Sequence, residues 1–421
     1  MRSWKRWLAV AVVVILVVAG LTVAYVVQKQ RSARDVRGSS TEEFVTSEAP
    51  PPKPPPRKAS VLWPTFGYSP ERRREAPFDL TPPFKRVWTF RARSLLEFPP
   101  AIAHGRLFFS NNAGVMFAVS AKTGKRAWKR PVGRCVASSP AVTRDTVYQA
   151  FLNRPPCNRD VKPGRLEGEV IAFSTGHGKV RWRTRLGPTE SSPLVARGNV
   201  YVGDWRGRVY ALDARTGKVR WTYRTKGRVK GALALAGDRL FVGSYDHHVY
   251  ALSASTGQLL WRASAQDRLG KRGNFYSTPA AAYGRVYIGS TDGKVYSFGA
   301  KTGKIRWSHS TGGYVYASPA VWQRKVYVGS YSRRFYALDA ATGDVIWRFK
   351  ANGRISGSAT VMNGVVYFAT LEERTYALDA RTGRELWIYE DGQYSPVVAD
   401  RDRLYLVGKA RVYGMVEQSA K

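Results

Sequence analysis

The chain has 421 residues, with 68 Lys+Arg against 30 Asp+Glu, a formal charge of +38, and 2 Cys. Its 44% hydrophobic and 13% aromatic content excludes a mostly disordered chain. Two cysteines exclude a disulfide-built miniprotein and a cysteine-ligated zinc or iron–sulfur site, and 5 His leave little room for a histidine metal centre.

Residues 1–7 carry Arg2, Lys5 and Arg6, with Trp4 and Trp7. Residues 8–27 follow without a single charge. A helix of that length spans ~30 Å, the hydrocarbon core of a bilayer. A soluble core helix needs a polar face, and this segment has none. Lys29, Arg31, Arg34 and Arg37 lie beyond it, so flanking charge alone does not orient it. The short basic lead is that of a signal anchor, with residues 1–7 in the cytoplasm and the C-terminal body outside. The rival is a cleaved signal peptide. The apolar run is long for one, and no A-x-A site follows it.

Residues 28–60 read as a tether, polar at first and then proline-rich. Such proline density favours extended polyproline II, a spacer holding the body off the membrane. The first 87 residues hold 15 Lys+Arg and 7 Asp+Glu, so the charge belongs mostly to the body. Arg outnumbers Lys 47 to 21. That suits bidentate contact with carboxylate or phosphate, and it equally suits a GC-rich genome.

From residue 85 the chain repeats. The run V-Y-A-L-D-A-R-T-G-K-V-R-W ends at Trp221, F-Y-A-L-D-A-A-T-G-D-V-I-W at Trp347 and T-Y-A-L-D-A-R-T-G-R-E-L-W at Trp387. Weaker copies end at Trp128, Trp182, Trp261 and Trp307, and Trp88 matches the tail of the pattern. The intervals between these tryptophans are 40, 54, 39, 40, 46, 40 and 40 residues. A period near 40 with short alternating runs predicts four-stranded propeller blades. The Thr-Gly pair falls at the turn between third and fourth strands, where glycine takes φ > 0 freely. The tryptophan sits on the outer strand, placed to wedge between blades.

Seven intervals make seven blades. After Trp387 three strands remain without a fourth, and the segment around Trp88 is a fourth strand without a blade. Pairing residues near 88 with residues near 412 closes an all-β, eight-bladed ring over 85–416, leaves 417–421 as a tail and removes both exposed edges. These A-L-D-A-x-T-G-x-x-x-W repeats resemble the PQQ-like propeller repeat. Quinoprotein dehydrogenases and BamB-like outer-membrane assembly scaffolds share it. The resemblance covers about residues 60–416. It implies that the lead-in at 61–84, beginning W-P-T-F-G-Y at Trp63, lies against the propeller.

Both long intervals map to one face, formed by blade-to-blade loops and second-to-third strand turns. One insertion holds Cys157 (residues 153–165), the other Arg272 (residues 267–274). Cys135 enters the blade that carries Cys157, so a disulfide pinning the insertion is expected; the alternative is two free thiols. Residues just before the inner strands should ring the channel mouth. They are Arg134, Arg228, Lys230, Lys271, Arg272, Tyr276, Tyr314, Tyr316, Arg354 and Tyr394, with the carboxylates Glu97 and Glu190. The expectation is a positive, aromatic funnel that favours anions, or else a solvated rim.

The resemblance implies, for an enzyme, a quinone held in the channel with calcium, a vicinal cysteine pair, a stacking tryptophan and a catalytic Asp. The two cysteines here are 22 residues apart. Asp204, Asp246 and Asp292 recur at equivalent turns, as turn chemistry requires. We read no catalytic residue, no metal set and no cofactor site. The reading is a membrane-anchored extracytoplasmic scaffold of the BamB-like branch with a protein partner at the envelope. The alternative is electrostatic capture of an anionic polymer or lipid by the funnel, and a second alternative is a quinoprotein dehydrogenase. No specific nucleic-acid partner is expected.

Overall fold

The computed structural model describes residues 2–46, 52–56, 59–157, 167–267, 272–394 and 397–418. Among the described residues one helix, Arg2–Ser32, precedes eight sheets, each built on four antiparallel strands. Its stretch Val10–Gln28 is long and apolar enough to cross a membrane, and its described side chains lie almost wholly exposed.

The sheets are propeller blades. Blade 6 is typical: Ala320–Trp322, Lys325–Gly329, Arg334–Asp339 and Val345–Lys350, from the axis outward. Its middle strands are buried on both faces because neighbouring blades cover them. Its outer strand alternates exposed and half-buried residues because only one face is covered. Blades 1 to 5 begin with inner strands at Ala101–Ala103, Ala141–Val142, Leu194–Ala196, Ala234–Ala236 and Ala280–Ala282; blade 7 begins at Thr360–Met362. Blade 8 takes three strands from the C-terminus, Val398–Ala399, Leu404–Val407 and Arg411–Glu417, and its outer strand, Phe84–Arg91, from the N-terminal side. Trp88 pairs with Gly414 and Phe90 with Val412, so the ring closes as the repeat count requires.

Each repeat tryptophan docks its blade on the next. The Trp221 indole nitrogen donates to the Ala254 carbonyl at 3.1 Å, and Trp347 donates to Ala380 at 3.2 Å. The same bond recurs from Trp88, Trp128, Trp182, Trp261 and Trp307. Trp387 differs. The next blade has no turn between third and fourth strands, because its fourth strand comes from residue 84 onward. Phe84 meets the Trp387 ring edge-on at 5.5 Å.

Residues 61–76 run inside the ring and visit the blades in order. Trp63 pairs with Ile102 of blade 1. The Pro64 carbonyl accepts from Val142 of blade 2 at 2.7 Å, and the Thr65 hydroxyl donates to Pro193 beside blade 3 at 3.1 Å. Carbonyls of Pro70, Glu71, Arg73 and Arg74 accept from Leu235, Ala281, Val321 and Val361 of blades 4 to 7. Arg72 is fully buried and donates to Leu233, Thr65, Phe66, Ser192 and Pro193. The lead-in is therefore a plug in the channel, tied by its backbone to the inner strands.

A free spacer over 28–60 does not describe residues 28–45. The helix runs on to Ser32, and residues 35–45 are bound to blade 5. The Asp35 carboxylate takes the Ser310 amide at 2.9 Å, and the Val45 amide donates to Tyr283 at 3.0 Å. Even Pro55 and Pro56 accept from Arg401. The polar residues that read as solvated linker are paired with blade cations: Asp35 with Lys294, Glu42 and Glu43 with Arg306.

Candidate functional site

Blade-to-blade loops and second-to-third strand turns meet on one face, here called the top. They enclose a cavity of 460 Å³ over the channel, with Phe66 of the plug among its lining residues. Its walls are Trp205, Tyr245, Tyr276, Tyr314, Tyr316, Tyr331 and Tyr394, with Glu97, Glu190 and Lys230 as charged groups.

The rings of Tyr245, Tyr276, Tyr316, Tyr314 and Tyr331 form a continuous cluster. Tyr316 meets Tyr276 at 5.2 Å and Tyr331 at 5.0 Å, both edge-to-face. Tyr314 lies 5.8 Å from Tyr316 and is 53% exposed at the mouth. Such arrangements match the ring quadrupoles and hold the wall rigid. The Lys230 ammonium is 4.5 Å from the Trp205 ring centre, 5.5 Å from Tyr245 and 5.6 Å from Tyr276. It also lies 3.2 Å from Glu190. Glu190 accepts from the Tyr276 hydroxyl at 2.6 Å and from Trp205 Nε1 at 2.9 Å. Burial first, and then the Glu190 charge, hold the Tyr276 phenol well above its ordinary pKa, so it stays a donor.

Glu97 accepts from Asn112 at 3.1 Å. Burial pushes its carboxyl up to about 7, the Glu190 charge adds to this, and Asn112 and Lys230 oppose it. Two carboxylates against one ammonium make the cavity neutral to acidic.

The expected positive funnel is therefore not what the cavity presents. Lys230, Tyr276, Tyr314, Tyr316 and Tyr394 line it, with Glu97 and Glu190. Arg134 is buried in blade 2, 2.9 Å from Glu169 and 2.6 Å from the Glu167 carbonyl. Arg228 lies at the rim, 5.4 Å over Trp205. Arg272 pairs with Asp267 at 3.4 Å, and Arg354 with Glu372 at 3.6 Å. Lys271 falls outside the described residues. Arg134, Arg272 and Arg354 thus reach nearby carboxylates, and the aromatic side chains with Lys230 line the cavity.

Trp205, Tyr245 and Tyr331 were missed by the sequence reading. Each stands two residues after a strand-ending glycine (Gly203, Gly243, Gly329), and that recurrence was a usable signal. Asp204 shows the turn role expected of it: it takes the amides of Arg206 and Arg208 at 2.9 and 2.8 Å. Cys135 and Cys157 are joined, S–S 1.98 Å, and Cys157 lines the cavity near Trp205.

A ring of eight blades, docked by an indole on the carbonyl of the next repeat, defines a propeller of the quinoprotein type. Within that class the chain belongs to the PQQ-like repeat family described as outer membrane protein assembly factor BamB, matched over residues 85–164, 166–314 and 310–418. It is 33% identical over 145 residues to the serine/threonine-protein kinase AfsK of Streptomyces griseus, covering 31% of this chain and 16% of the kinase. It is 31% identical over 257 residues to the dehydrogenase subunit of alcohol dehydrogenase (quinone) of Komagataeibacter europaeus, covering 53% of this chain and 31% of that protein. The chain thus spans less than a third of either relative. The crystal structure of BamB from Moraxella catarrhalis superposes with a TM-score of 0.63 at 16% identity, covering 81% of this chain and 99% of that one. At that identity the likeness shows the fold alone.

The quinone and calcium that the repeat resemblance implies for an enzyme can be tested against these residues. Among the described residues no three His, Cys, Asp or Glu converge to hold a metal. The cysteines are not vicinal. Glu190 is committed to Trp205, Tyr276 and Lys230, and burial pushes the Glu97 carboxyl up to about 7, against the charged form a cation needs. These residues do not fit that group.

Proposed function

We propose that this protein is a non-catalytic binding module of the cell envelope. Its N-terminal helix anchors it in the membrane, and its propeller receives a protein partner at the top cavity. The observation that carries the reading is the tyrosine wall. Tyr245, Tyr276, Tyr314, Tyr316, Tyr331 and Tyr394 offer rigid apolar area and hydroxyls at one mouth, as recognition surfaces do. The carboxylates of the same cavity are occupied by internal donors, which supports recognition over acid–base chemistry.

The test is a photo-crosslinking residue at Tyr316 in native membranes, read by mass spectrometry. The expected result is one protein adduct, lost when Tyr331 is also changed to alanine. An adduct insensitive to Tyr331, or one formed only with lipid or glycan, removes the protein-dock reading. Calcium-dependent binding of pyrroloquinoline quinone by the purified protein would return the dehydrogenase reading.

A further inference from the structure

The segment from Asp35 to Val45 lies along blade 5 from its top edge to its bottom edge. At the top, Asp35 takes the amide and hydroxyl of Ser310 at 2.9 and 2.7 Å and pairs with Lys294 at 3.0 Å. Lower down, the Gly38 amide donates to Thr342 at 2.9 Å, in a bottom turn of blade 6. Phe44 stacks on Tyr283 at 5.2 Å.

The dock is written into the repeat. In blades 3, 6 and 7 the turn aspartate binds its own turn: Asp339 takes the Ala341 and Thr342 amides at 2.8 Å each and the Thr342 hydroxyl at 3.3 Å. Asp213 and Asp379 do the same. Blade 5 has Gly299 at this position, and Glu43 supplies the missing carboxylate. It takes the Lys301 and Thr302 amides at 2.7 and 3.2 Å and the Thr302 hydroxyl at 2.7 Å. A Cβ at Gly299 would collide with that carboxylate. Gly38 in turn lies against Trp307, which is 0% exposed.

The helix therefore ends at the top edge. Gln30, Ala33, Tyr314, Tyr331 and Arg354 line one cleft there, and Tyr314 and Tyr331 also wall the central cavity. From Gln28, the end of the apolar span, to Asp35 the chain reaches at most about 17 Å, counting helical and extended residues. The top rim also exposes Arg93, Lys226, Arg228 and Arg333.

We infer that the strap 35–45 holds the propeller top-rim-down on an anionic bilayer surface, so that the cavity is filled from the membrane side. This rests on the reading of residues 10–28 as a membrane span. The rim cations then meet lipid phosphates, an attraction that salt screens.

The test places the full chain in nanodiscs containing phosphatidylglycerol with fluorescent headgroup acceptors. A donor dye is attached at Arg354→Cys on the top or at Arg215→Cys on the bottom. Energy transfer is expected to be higher from the top site, and the difference is expected to be lost in the double variant Glu43→Ala, Arg306→Ala. Equal transfer from both sites in the otherwise native chain, or higher transfer from the bottom, overturns the orientation. Amide exchange in detergent judges the strap separately: Val36, Gly38 and Val45 should be protected in the native chain and fast in the double variant. Fast exchange in the native chain overturns the strap. Protected amides in a chain that does not enter nanodiscs would sink the membrane span, and the orientation with it, and leave the strap standing.

Discussion

The ring of Trp221 lies on Gly257 of the neighbouring blade. A Cβ on Gly257 would fall 2.5 Å from the ring, and the glycine holds φ at +75°. The same pairing joins Trp182 to Gly217 and Trp347 to Gly383. The Thr-Gly turn is therefore a seat for the preceding blade's indole as well as a left-handed turn.

The docking predicts a graded stability series. Trp307→Ala removes a fully buried indole and should cost about 3–5 kcal/mol. Trp221→Ala removes a half-buried one and should cost less, about 2–3 kcal/mol by the same reasoning. Denaturant unfolding compares them. Equal costs, or none, would remove the docking role.

The plug predicts a second loss. Arg72→Met leaves the Leu233 and Pro193 carbonyls without their guanidinium donor inside the channel. Unsatisfied buried acceptors of this kind should cost roughly 3 kcal/mol or more in total. A variant as stable as the parent in urea would place the segment outside the ring.

Glu97 predicts a pH dependence. Its folded pKa is raised from 4.5 to about 7, by burial first. A raised carboxyl contributes stability that is present below about 4.5 and lost as pH climbs through about 7. Glu97→Gln removes that loss, so its melting temperature should exceed the parent's at pH 8 and approach it at pH 4.5. A gain independent of pH would refute the shift.

The disulfide predicts a local and a global effect. Cys135 and Cys157 close a loop of 22 residues, and such a constraint is worth about 3 kcal/mol in the unfolded chain. Cys157→Ser should lower the melting temperature and speed proteolysis within residues 154–167. Proteolysis unchanged by the substitution would mean that the bridge does not restrain the insertion.

The ring was legible because every blade needs the same indole, glycine and strand lengths, and repetition makes a weak pattern strong. Closure was legible because three strands after Trp387 lacked a fourth. The cavity was half legible. Tyr276, Tyr314 and Tyr316 follow from loop position, but loop position does not say where an arginine turns, and Arg134 turned to Glu169. The strap was illegible as a strap. Glu43 looks like solvated linker until Gly299 is seen as a turn missing its carboxylate, a relation between positions far apart in the chain.

Residues 61–76 also act as a ruler. Each blade of a repeat ring contacts only its neighbours, so the repeats alone do not count the blades. Here a single short segment meets blades 1 to 7 in sequence, at their inner strands or, for blade 3, at Pro193 just before it, and then delivers the outer strand of blade 8. A ring of nine blades would leave it one blade short, and a ring of seven would leave a carbonyl with nothing to bind. The arithmetic of the ring is held by the stretch of chain that belongs to no repeat.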